Sequence, residues 1–368
     1  MFRSRFLVAI LASFIYVGKA DAFPEMIRHG YSQCMACHHS PSGGGILTPY
    51  GRVLANEHMS NSGSETEAKF LYGAVPDSEN LSLGGDIRWV QWYRDTPTST
   101  SSDFVPMQAD LEAAGTLGKF KAVATLGYQE VQAPAKFLDS VISRRHYLLY
   151  QVNDNLTLRA GRYQVPFGLM IPDHFTTVRR GLMWDQNTET HNIEAVITSD
   201  PWELFLTGSL GRLDTATVDR EKGFSFRAGY SFLEKQKVGL SYFYGANDAQ
   251  TRHVVGPYAL ISLSPSWTVL TEVDFQNQQP AGRAAVWGLF NYNRMNYEMI
   301  KGFVVFGSAQ VSFANLDREI TRFVAYGGGL QFFARPHFEV QVSYEKQKIN
   351  ALFDRFTDFA FLMFHYYL

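Results

Sequence analysis

The stretch KGFSFRAGYSF, from Lys222 to Phe232, alternates between two kinds of side chain. One face carries the apolar and aromatic residues Phe224, Phe226, Ala228, Tyr230 and Phe232, and the other face carries Ser225, Arg227, Gly229 and Ser231. Successive side chains of a β-strand point to opposite faces, whereas those of an α-helix repeat every ~3.6 residues. The period of two therefore predicts a strand with one apolar and one polar face.

The same alternation recurs from about residue 81 to the C-terminus and is clear in the ranges 238–244, 267–276 and 338–345. We count about sixteen such runs, which begin near residues 81, 104, 118, 142, 155, 191, 202, 222, 236, 252, 267, 284, 298, 321, 337 and 356. Short turns, such as Asp200-Pro201 and Met295-Asn296, alternate with longer polar loops, of which the longest runs from Gln164 to Thr190. This rhythm is typical of barrels in bacterial outer membranes.

The composition agrees with a barrel and argues against other classes. Charged residues make up 18% of the chain, against about 25% in soluble domains, and aromatic residues make up 15%. The mean hydropathy of −0.15 is too low for a helical membrane protein, and no run after residue 22 reaches the ~18 apolar residues of a membrane-spanning helix. The net charge of −2 gives no reason to expect a nucleic-acid partner. A soluble β-sandwich or lectin-like fold is the alternative.

We therefore predict an all-β fold for residues 70–368, a transmembrane antiparallel β-barrel of about sixteen strands. In hydrocarbon every backbone N–H and C=O needs an internal partner, so the sheet has to close on itself. A ring of this size leaves a water-filled lumen, into which we expect Arg88, Arg159 and Arg227 to point. The tryptophans expected near the membrane interfaces are Trp89, Trp202, Trp267 and Trp287.

The N-terminus reads as a signal peptide covering residues 1–22. Arg3 and Arg5 precede an apolar run from Phe6 to Val17, and Ala20-Asp21-Ala22 fits a signal-peptidase site. A membrane anchor that is never cleaved is the alternative, but the apolar run falls short of the ~20 residues that span a bilayer. We therefore expect an exported protein of the bacterial outer membrane.

One motif carries chemistry. Cys34-Met35-Ala36-Cys37-His38 has the C-x-x-C-H spacing of c-type haem attachment, in which two thioethers hold the porphyrin and the adjacent imidazole binds the iron. We predict one covalently attached haem c, with Cys34 and Cys37 as thioethers and His38 as the proximal ligand. A zinc site would need a second Cys pair. A thioredoxin-like pair would need a βαβ pattern, and a simple disulfide would leave His38 unexplained.

The second axial ligand is less defined by the sequence. The candidates are His29, His39, His58, Met26, Met35 and Met59. We rank His29 first, because Gly30 would let the chain fold over the ring. A short helix is predicted from Pro49 with Thr48 as its N-cap, and residues 40–45 are predicted to form a tight turn at the haem edge.

Three regions follow: the signal peptide at 1–22, a small, mainly helical or irregular haem segment with its linker at 23–69, and the barrel at 70–368. The linker is rich in Ser, Asn and Glu between Ser60 and Ala68. The longest outer loop clusters charges and imidazoles at Asp173, His174, Arg179, Arg180, Asp185 and His191. A loop of this length is often functional, for example by folding inward to narrow a pore.

The layout, with Cys34-x-x-Cys37-His38 ahead of about sixteen strands, resembles the fused monohaem c-type cytochrome–porins of bacterial outer membranes, such as the outer-membrane cytochromes of iron-oxidising bacteria. The resemblance implies single-electron transfer between an extracellular donor or acceptor, such as a metal ion, and a periplasmic cytochrome or other carrier. It implies an electron carrier embedded in outer-membrane lipid more than a substrate-converting enzyme, although an extracellular metal oxidoreductase is a variant of the same role.

Two other functions stay open at this point. The chain is alternatively a solute-diffusion porin in which the haem segment is a plug or redox sensor. A haem enzyme or gas sensor is the third hypothesis, and it would require an open sixth coordination position on the iron.

Overall fold

The computed structural model describes residues 24–76, 78, 80–128, 140–173, 175–184 and 188–368. The predicted signal peptide lies outside the described residues, as do His174 and Asp185. The strands are β1 (Leu81–Asp95), β2 (Thr100–Leu117), β3 (Phe120–Tyr128), β4 (Val141–Asn153), β5 (Leu156–Tyr163), β6 (Thr190–Ser199), β7 (Trp202–Ser209), β8 (Lys222–Phe232), β9 (Gln236–Ala246), β10 (Gln250–Ser264), β11 (Trp267–Pro280), β12 (Val286–Ile300), β13 (Phe303–Phe313), β14 (Arg322–Arg335), β15 (Phe338–Ile349) and β16 (Thr357–Tyr367).

These strands form one closed antiparallel barrel. Each strand pairs with its neighbours in the chain, and β1 closes the ring by pairing with β16, with Trp89 opposite Phe364. Closure gives each of the sixteen described strands two partners, so that none of them leaves an unpaired edge facing lipid. The predicted fold class is confirmed, and so is the strand KGFSFRAGYSF, which is β8.

One predicted turn is wrong. Met295 and Asn296 lie inside β12, and the turn to β13 falls at residues 301–302. Asparagine favours turns, but here the Asn296 side chain points inward, where it is fully buried and accepts a hydrogen bond from Arg294 Nε at 2.7 Å. The interior of the barrel therefore overrides the local preference of the residue.

The two faces of the strands divide as predicted. Arg88, Arg159 and Arg227 are buried inside the barrel. The outer face is apolar, and large exposed side chains on it include Trp89, Trp202, Trp267 and Trp287. A band of this kind is what a lipid-embedded barrel presents to the membrane.

Outside the sheet the described chain contains short helical elements. They are α1 (Pro49–Leu54), which runs on as a wider turn at Ala55–Met59, α2 (Thr177–Arg180), and short 3₁₀ segments at Pro24–His29, Cys34–Ala36, Phe70–Gly73, Thr217–Asp219 and Glu319–Thr321. Thr48 caps α1 by accepting a hydrogen bond from Gly51 N–H at 3.0 Å, as predicted. No helix in the described part of the chain is long and apolar enough to cross a bilayer.

The barrel has a short-turn end and a long-loop end. The short-turn end carries the connections 118–119, 154–155, 200–201, 233–235, 265–266, 301–302 and 336–337 and the C-terminus. The predicted linker lies here, since Asn61 N–H donates to Phe333 O at 2.8 Å and the Asn61 side-chain amide donates to Lys301 O at 3.1 Å.

Residues 24–59, which we call the plug, fill the lumen from the short-turn end. Arg28 forms an ion pair with Glu298 of β12 at 3.1 Å. On the opposite wall, Arg159 of β5 donates to the hydroxyls of Ser40 and Ser42 at 3.1 and 3.2 Å. The plug is therefore fixed to both sides of the ring.

The loop between β5 and β6 also enters the lumen. The described residues of this inner loop are 164–173, 175–184 and 188–189. Among them, Phe167, Val178 and Leu182 are fully buried against the inner wall of β10–β12. Ile27 of the plug belongs to the same apolar cluster. The longest loop thus folds inward, which is the example given above for a loop of this length, and the largest apolar cluster of the described residues lies inside the barrel.

Candidate functional site

A cavity of ≈ 310 Å³ lies in the lumen between the plug and the inner loop. Cys34, Cys37 and His38 all line it, so the three residues of the predicted attachment motif meet at one space. The inner loop contributes Asp173 and Arg179 on the opposite side. Ligand pockets in proteins run from about 300 to about 1,000 Å³, and the cavity falls in that range.

The motif is held by a compact turn and a short strand-like pairing. The N–H groups of Cys37 and His38 both donate to Cys34 O, at 3.2 and 3.0 Å. His38 pairs with Leu47 in an antiparallel bridge, and Thr48 N–H donates to Cys37 O at 2.8 Å. The main chain thus fixes the two cysteines and the histidine relative to one another.

The orientation of His38 suits a metal ligand. Its Nδ1 lies 3.2 Å from Gly45 O, a distance at which the neutral imidazole donates from Nδ1 to the carbonyl. In that tautomer Nε2 carries the lone pair that binds metals, and a carbonyl partner on the other nitrogen is the usual way of fixing such a ligand. The orientation of His38 and its contact with Gly45 O therefore fit the predicted role of His38 as an axial ligand of a haem iron.

The glycine run beside the motif is required by close contacts. Gly43, Gly44 and Gly45 have φ of +80°, +70° and +70°, which disfavour any residue with a Cβ. A Cβ at Gly43 would lie 3.1 Å from Cys34 Sγ, and one at Gly45 would lie 2.4 Å from Arg145 Nη1. The predicted tight turn is present, and its lack of side chains leaves room next to Cys34.

Helix α1 packs directly on the motif at Gly51. A Cβ added at Gly51 would lie 2.3 Å from Cys37 O and 2.9 Å from its Cα. The same Cys37 O accepts a hydrogen bond from N–H of Thr48, the N-cap of this helix, at 2.8 Å, so moving it away from Gly51 would break that bond.

We predict that Gly51→Ala separates α1 from the motif and costs about 1–3 kcal/mol of unfolding free energy, because overpacking at a rigid contact is destabilising. A urea titration of the detergent-solubilised protein measures this cost. Val53→Ala, at an exposed position of the same helix, is the matched control and is expected to change the midpoint little. Equal midpoints for Gly51→Ala and the native chain would contradict the packing argument.

The structure does not bring His29 to the cavity with the other three predicted residues. Its ring lies 4.6 Å from the ring of His58, and its Nε2 accepts from Arg28 Nε at 3.1 Å. Burial, with the neighbouring Arg28 charge, lowers the pKa of His29 to about 3. Of the other predicted candidates, Met59 lines the cavity.

The remaining candidates have other surroundings. His39 is buried with its Nε2 3.0 Å from Ser82 Oγ, and burial lowers its pKa to about 4. Met26 packs with Met59 and Phe333 in a small apolar cluster. Among the residues that the structure describes, no group of three or more His, Cys, Asp or Glu side chains is placed to hold a metal ion.

Arg88, Arg159 and Arg227, which were expected to point into the lumen, line the cavity, but sequence reasoning missed its other residues outside the plug. The methionine and histidine side chains lining it outside the plug are Met107, Met170, Met363 and His365. His365 alternates with the outward Phe364 and Tyr366, so its inward direction is readable from the period of two. The place of His365 beside the plug cannot be read from the sequence, because that contact depends on how the lumen is filled.

The cavity wall carries more cationic than anionic side chains. The cationic ones are Arg88, Arg144, Arg145, Arg159, Arg179, Arg227, Lys237 and Arg294, and the carboxylates are Asp86, Glu112, Asp173, Glu189 and Glu339. Several of these side chains form ion pairs with each other or hydrogen bonds with the plug. Arg159 pairs with Glu194 at 2.7 Å, and its guanidinium lies 3.6 Å from the centre of the Tyr163 ring.

A buried charged group lies beside Cys34. Glu203 pairs with Lys237 at 2.6 Å and with Arg227 at 3.0 Å, and Lys237 also donates to Ser32 O at 2.5 Å. Burial raises the pKa of the Cys34 thiol, and Glu203 adds to this rise while Lys237 and Arg227 oppose it. The plug is thus anchored two residues before the motif.

The barrel resembles solved structures of outer-membrane proteins. OmpT of Vibrio cholerae matches with a TM-score of 0.62 at 9% identity, over 80% of this chain and 100% of that chain. OmpF of Salmonella typhi, solved in complex with daunomycin, matches with a TM-score of 0.62 at 12% identity, over 78% of this chain and 98% of that chain. The anion-selective porin of Comamonas acidovorans matches with a TM-score of 0.60 at 10% identity, over 78% of this chain and 99% of that chain.

The chain has a porin-like fold. No protein-family model and no curated protein matches its sequence. At identities this low the likeness concerns the architecture alone. Together with the apolar outer band, the porin-like barrel makes this a protein of the outer membrane, as the sequence predicted. The short-turn end therefore faces the periplasm and the long-loop end faces outward.

Proposed function

We propose that this porin-like barrel carries single electrons across the outer membrane, by means of one haem c attached through Cys34 and Cys37 inside the plugged lumen. The observation that carries the proposal is that Cys34, Cys37 and His38 line the same cavity within the ring. A structural zinc site would need a fourth ligand beside Cys34, Cys37 and His38, and a simple disulfide does not account for the position of His38 on that cavity.

The residues of the chain have separate tasks in this proposal. Cys34 and Cys37 would hold the porphyrin, and His38, oriented by Gly45 O, would bind the iron. A haem bound there would take up and release one electron. The plug and the inner loop occupy the lumen on either side of the cavity and would exclude solutes, while the ring insulates the site from a hydrocarbon band about 25 Å thick.

For the second axial position we propose His29, with Met59 as the competitor because Met59 lines the cavity. A methionine ligand raises the reduction potential relative to two histidines. His29 would have to leave the His58 ring to reach the cavity. Comparing the absorption spectra of His29→Ala and Met59→Ala identifies the ligand, since only the loss of the true ligand changes the iron coordination.

The partners proposed are a periplasmic cytochrome or other carrier on the short-turn side, and an extracellular redox partner such as a metal ion on the other. Sealed liposomes containing the protein in the membrane and a soluble cytochrome inside test the transfer. We expect a membrane-impermeant reductant added outside to reduce the enclosed cytochrome, and liposomes without the protein to leave it oxidised. An enclosed cytochrome that stays oxidised in the presence of haem-loaded protein rules the proposal out.

A solute-diffusion porin, with the plug as a stopper or redox sensor, is the second candidate. It is favoured by the likeness of the barrel to OmpF and to an anion-selective porin. Planar-bilayer recordings separate the two functions. An ion conductance close to that of the bare bilayer supports a plugged electron carrier, whereas large, stable open-channel currents support the porin.

A further inference from the structure

Polar side chains form a row on the outer surface of the barrel, away from the cavity. His146 of β4 lies opposite Arg162 of β5, and Arg162 lies opposite His191 of β6. Leu210 follows His191 at the same level, and beyond it lies Lys222, which starts β8 one residue beyond the Ser209–Gly223 pair. We call His146, Arg162, His191 and Lys222 the polar row.

The polar row lies at the outer boundary of the apolar band. Two residues closer to the periplasm, the same strands present Leu148, Ile193 and Phe224, which are 61%, 65% and 49% exposed. Phe224 lies within an aromatic group with Tyr242 and Tyr244, at ring distances of 5.7 and 5.8 Å. Aromatic belts mark the level of lipid headgroups. The polar row therefore meets the headgroups of the outer leaflet.

His146, Arg162 and His191 of the row contact one another or the loop after β7. The rings of His146 and His191 are 5.7 Å apart. Asp214 pairs with Arg212 at 2.8 Å and with Arg162 at 3.5 Å, and these two guanidiniums hold the pKa of its carboxyl down, to about 2. Arg162, Arg212 and Lys222 supply three positive charges, and the carboxylates of Asp214 and of Glu189, whose charge also acts on Arg212, supply two negative ones, so the group keeps a net positive charge.

We propose that the polar row, with Arg212, binds a phosphate group carried by a lipid of the outer leaflet. Guanidinium groups match the oxygens of a phosphate with parallel hydrogen bonds, and partly desolvated pairs of this kind are strong. The two imidazoles add donors at the same level. The apolar surface of Leu148, Ile193 and Phe224 directly below would receive the acyl chains of the same molecule. This proposal does not depend on the haem.

Native mass spectrometry of the full-length protein in detergent tests this site, with a phosphorylated glycolipid, the same glycolipid without phosphate, and inorganic phosphate as probes. We expect one phosphorylated lipid to bind at least tenfold more tightly than the dephosphorylated one. The double variant Arg162→Gln, His191→Gln should lose at least tenfold in affinity. Lys222→Gln should lower the affinity for the phosphorylated lipid by less than tenfold, and because Lys222 is exposed at the start of a strand, this variant should still fold. Lys119→Gln, at the periplasmic end, should leave the affinity unchanged.

Three results would overturn the proposal. They are equal binding of the two glycolipids, unchanged binding by both Lys222→Gln and the double variant, and inorganic phosphate alone binding as tightly as the phosphorylated lipid. The third result would assign the row to free phosphate instead of a membrane lipid. A loss in the two variants with an unchanged Lys119→Gln control supports the site as proposed.

Discussion

The double replacement Cys34→Ala, Cys37→Ala is expected to remove all covalently bound haem from the protein. Both thioether positions are then lost, and His38 alone gives no bond that survives denaturation. A haem stain after denaturing electrophoresis, with the Soret absorption of the detergent extract, measures the effect. The barrel should still fold, because the contacts of the plug through Arg28, Ser40 and Ser42 remain.

Met35→Leu is the matched control for this variant. Met35 lies between the two cysteines but supplies neither thioether in the proposal, so Met35→Leu should keep the native stain. A native chain without any stain, or a double variant that stains like the native chain, contradicts covalent attachment at the motif.

Replacing Gly168 with alanine is expected to expel the inner loop from the wall of the barrel. Gly168 has φ +54°, and a Cβ there would lie 1.6 Å from Oε1 and 2.3 Å from Cδ of Glu272. Glu272 is itself fixed, since its Oε2 accepts a hydrogen bond from Leu169 N–H at 2.7 Å. Gly168 is fixed as well, since Arg227 Nε donates a hydrogen bond to Gly168 O at 2.9 Å. The loop cannot keep these contacts with a side chain at residue 168.

Limited trypsin digestion measures this release. Arg179, on the inner loop, is buried in the lumen of the native protein. Overpacking costs about 1–3 kcal/mol, and because each 1.4 kcal/mol is about tenfold in an equilibrium constant, cleavage after Arg179 or Arg180 should rise roughly tenfold or more. Gly115→Ala is the control, since a Cβ at Gly115 meets nothing within 4 Å. Equal digestion of the two variants would show that the loop tolerates the change.

The barrel was predictable because lipid and lumen impose opposite demands on alternate residues. In β8 the outward Phe224 and Phe226 face lipid and the inward Ser225 and Arg227 face the lumen, so the period of two is visible in the sequence. The pattern fails at Asn296, whose preference for turns gives no hint that Arg294 and the wall would hold it inside a strand.

The candidate site was predictable only within the plug. The spacing of Cys34, Cys37 and His38 is local, and the turn at Cys34–Ala36 brings them to one cavity. The contacts that seat the plug join residues far apart, such as Arg159 and Ser40. They depend on the shape of the filled lumen, which no short pattern encodes. His29 was ranked first because Gly30 would let the chain fold over the ring, whereas its place beside His58 follows from this packing.

The inward surface of the barrel is not uniformly polar. Val254, Leu270 and Phe290 point into the lumen and are covered by the inner loop, with Ile27 of the plug in the same cluster. An emptied ring would leave these side chains facing water, at a cost of about 25 cal/mol for each Å² uncovered. The barrel therefore stabilises the plug and the inner loop, and they stabilise the barrel in turn. On heating, we expect all three to unfold in one cooperative transition and not in two separate ones.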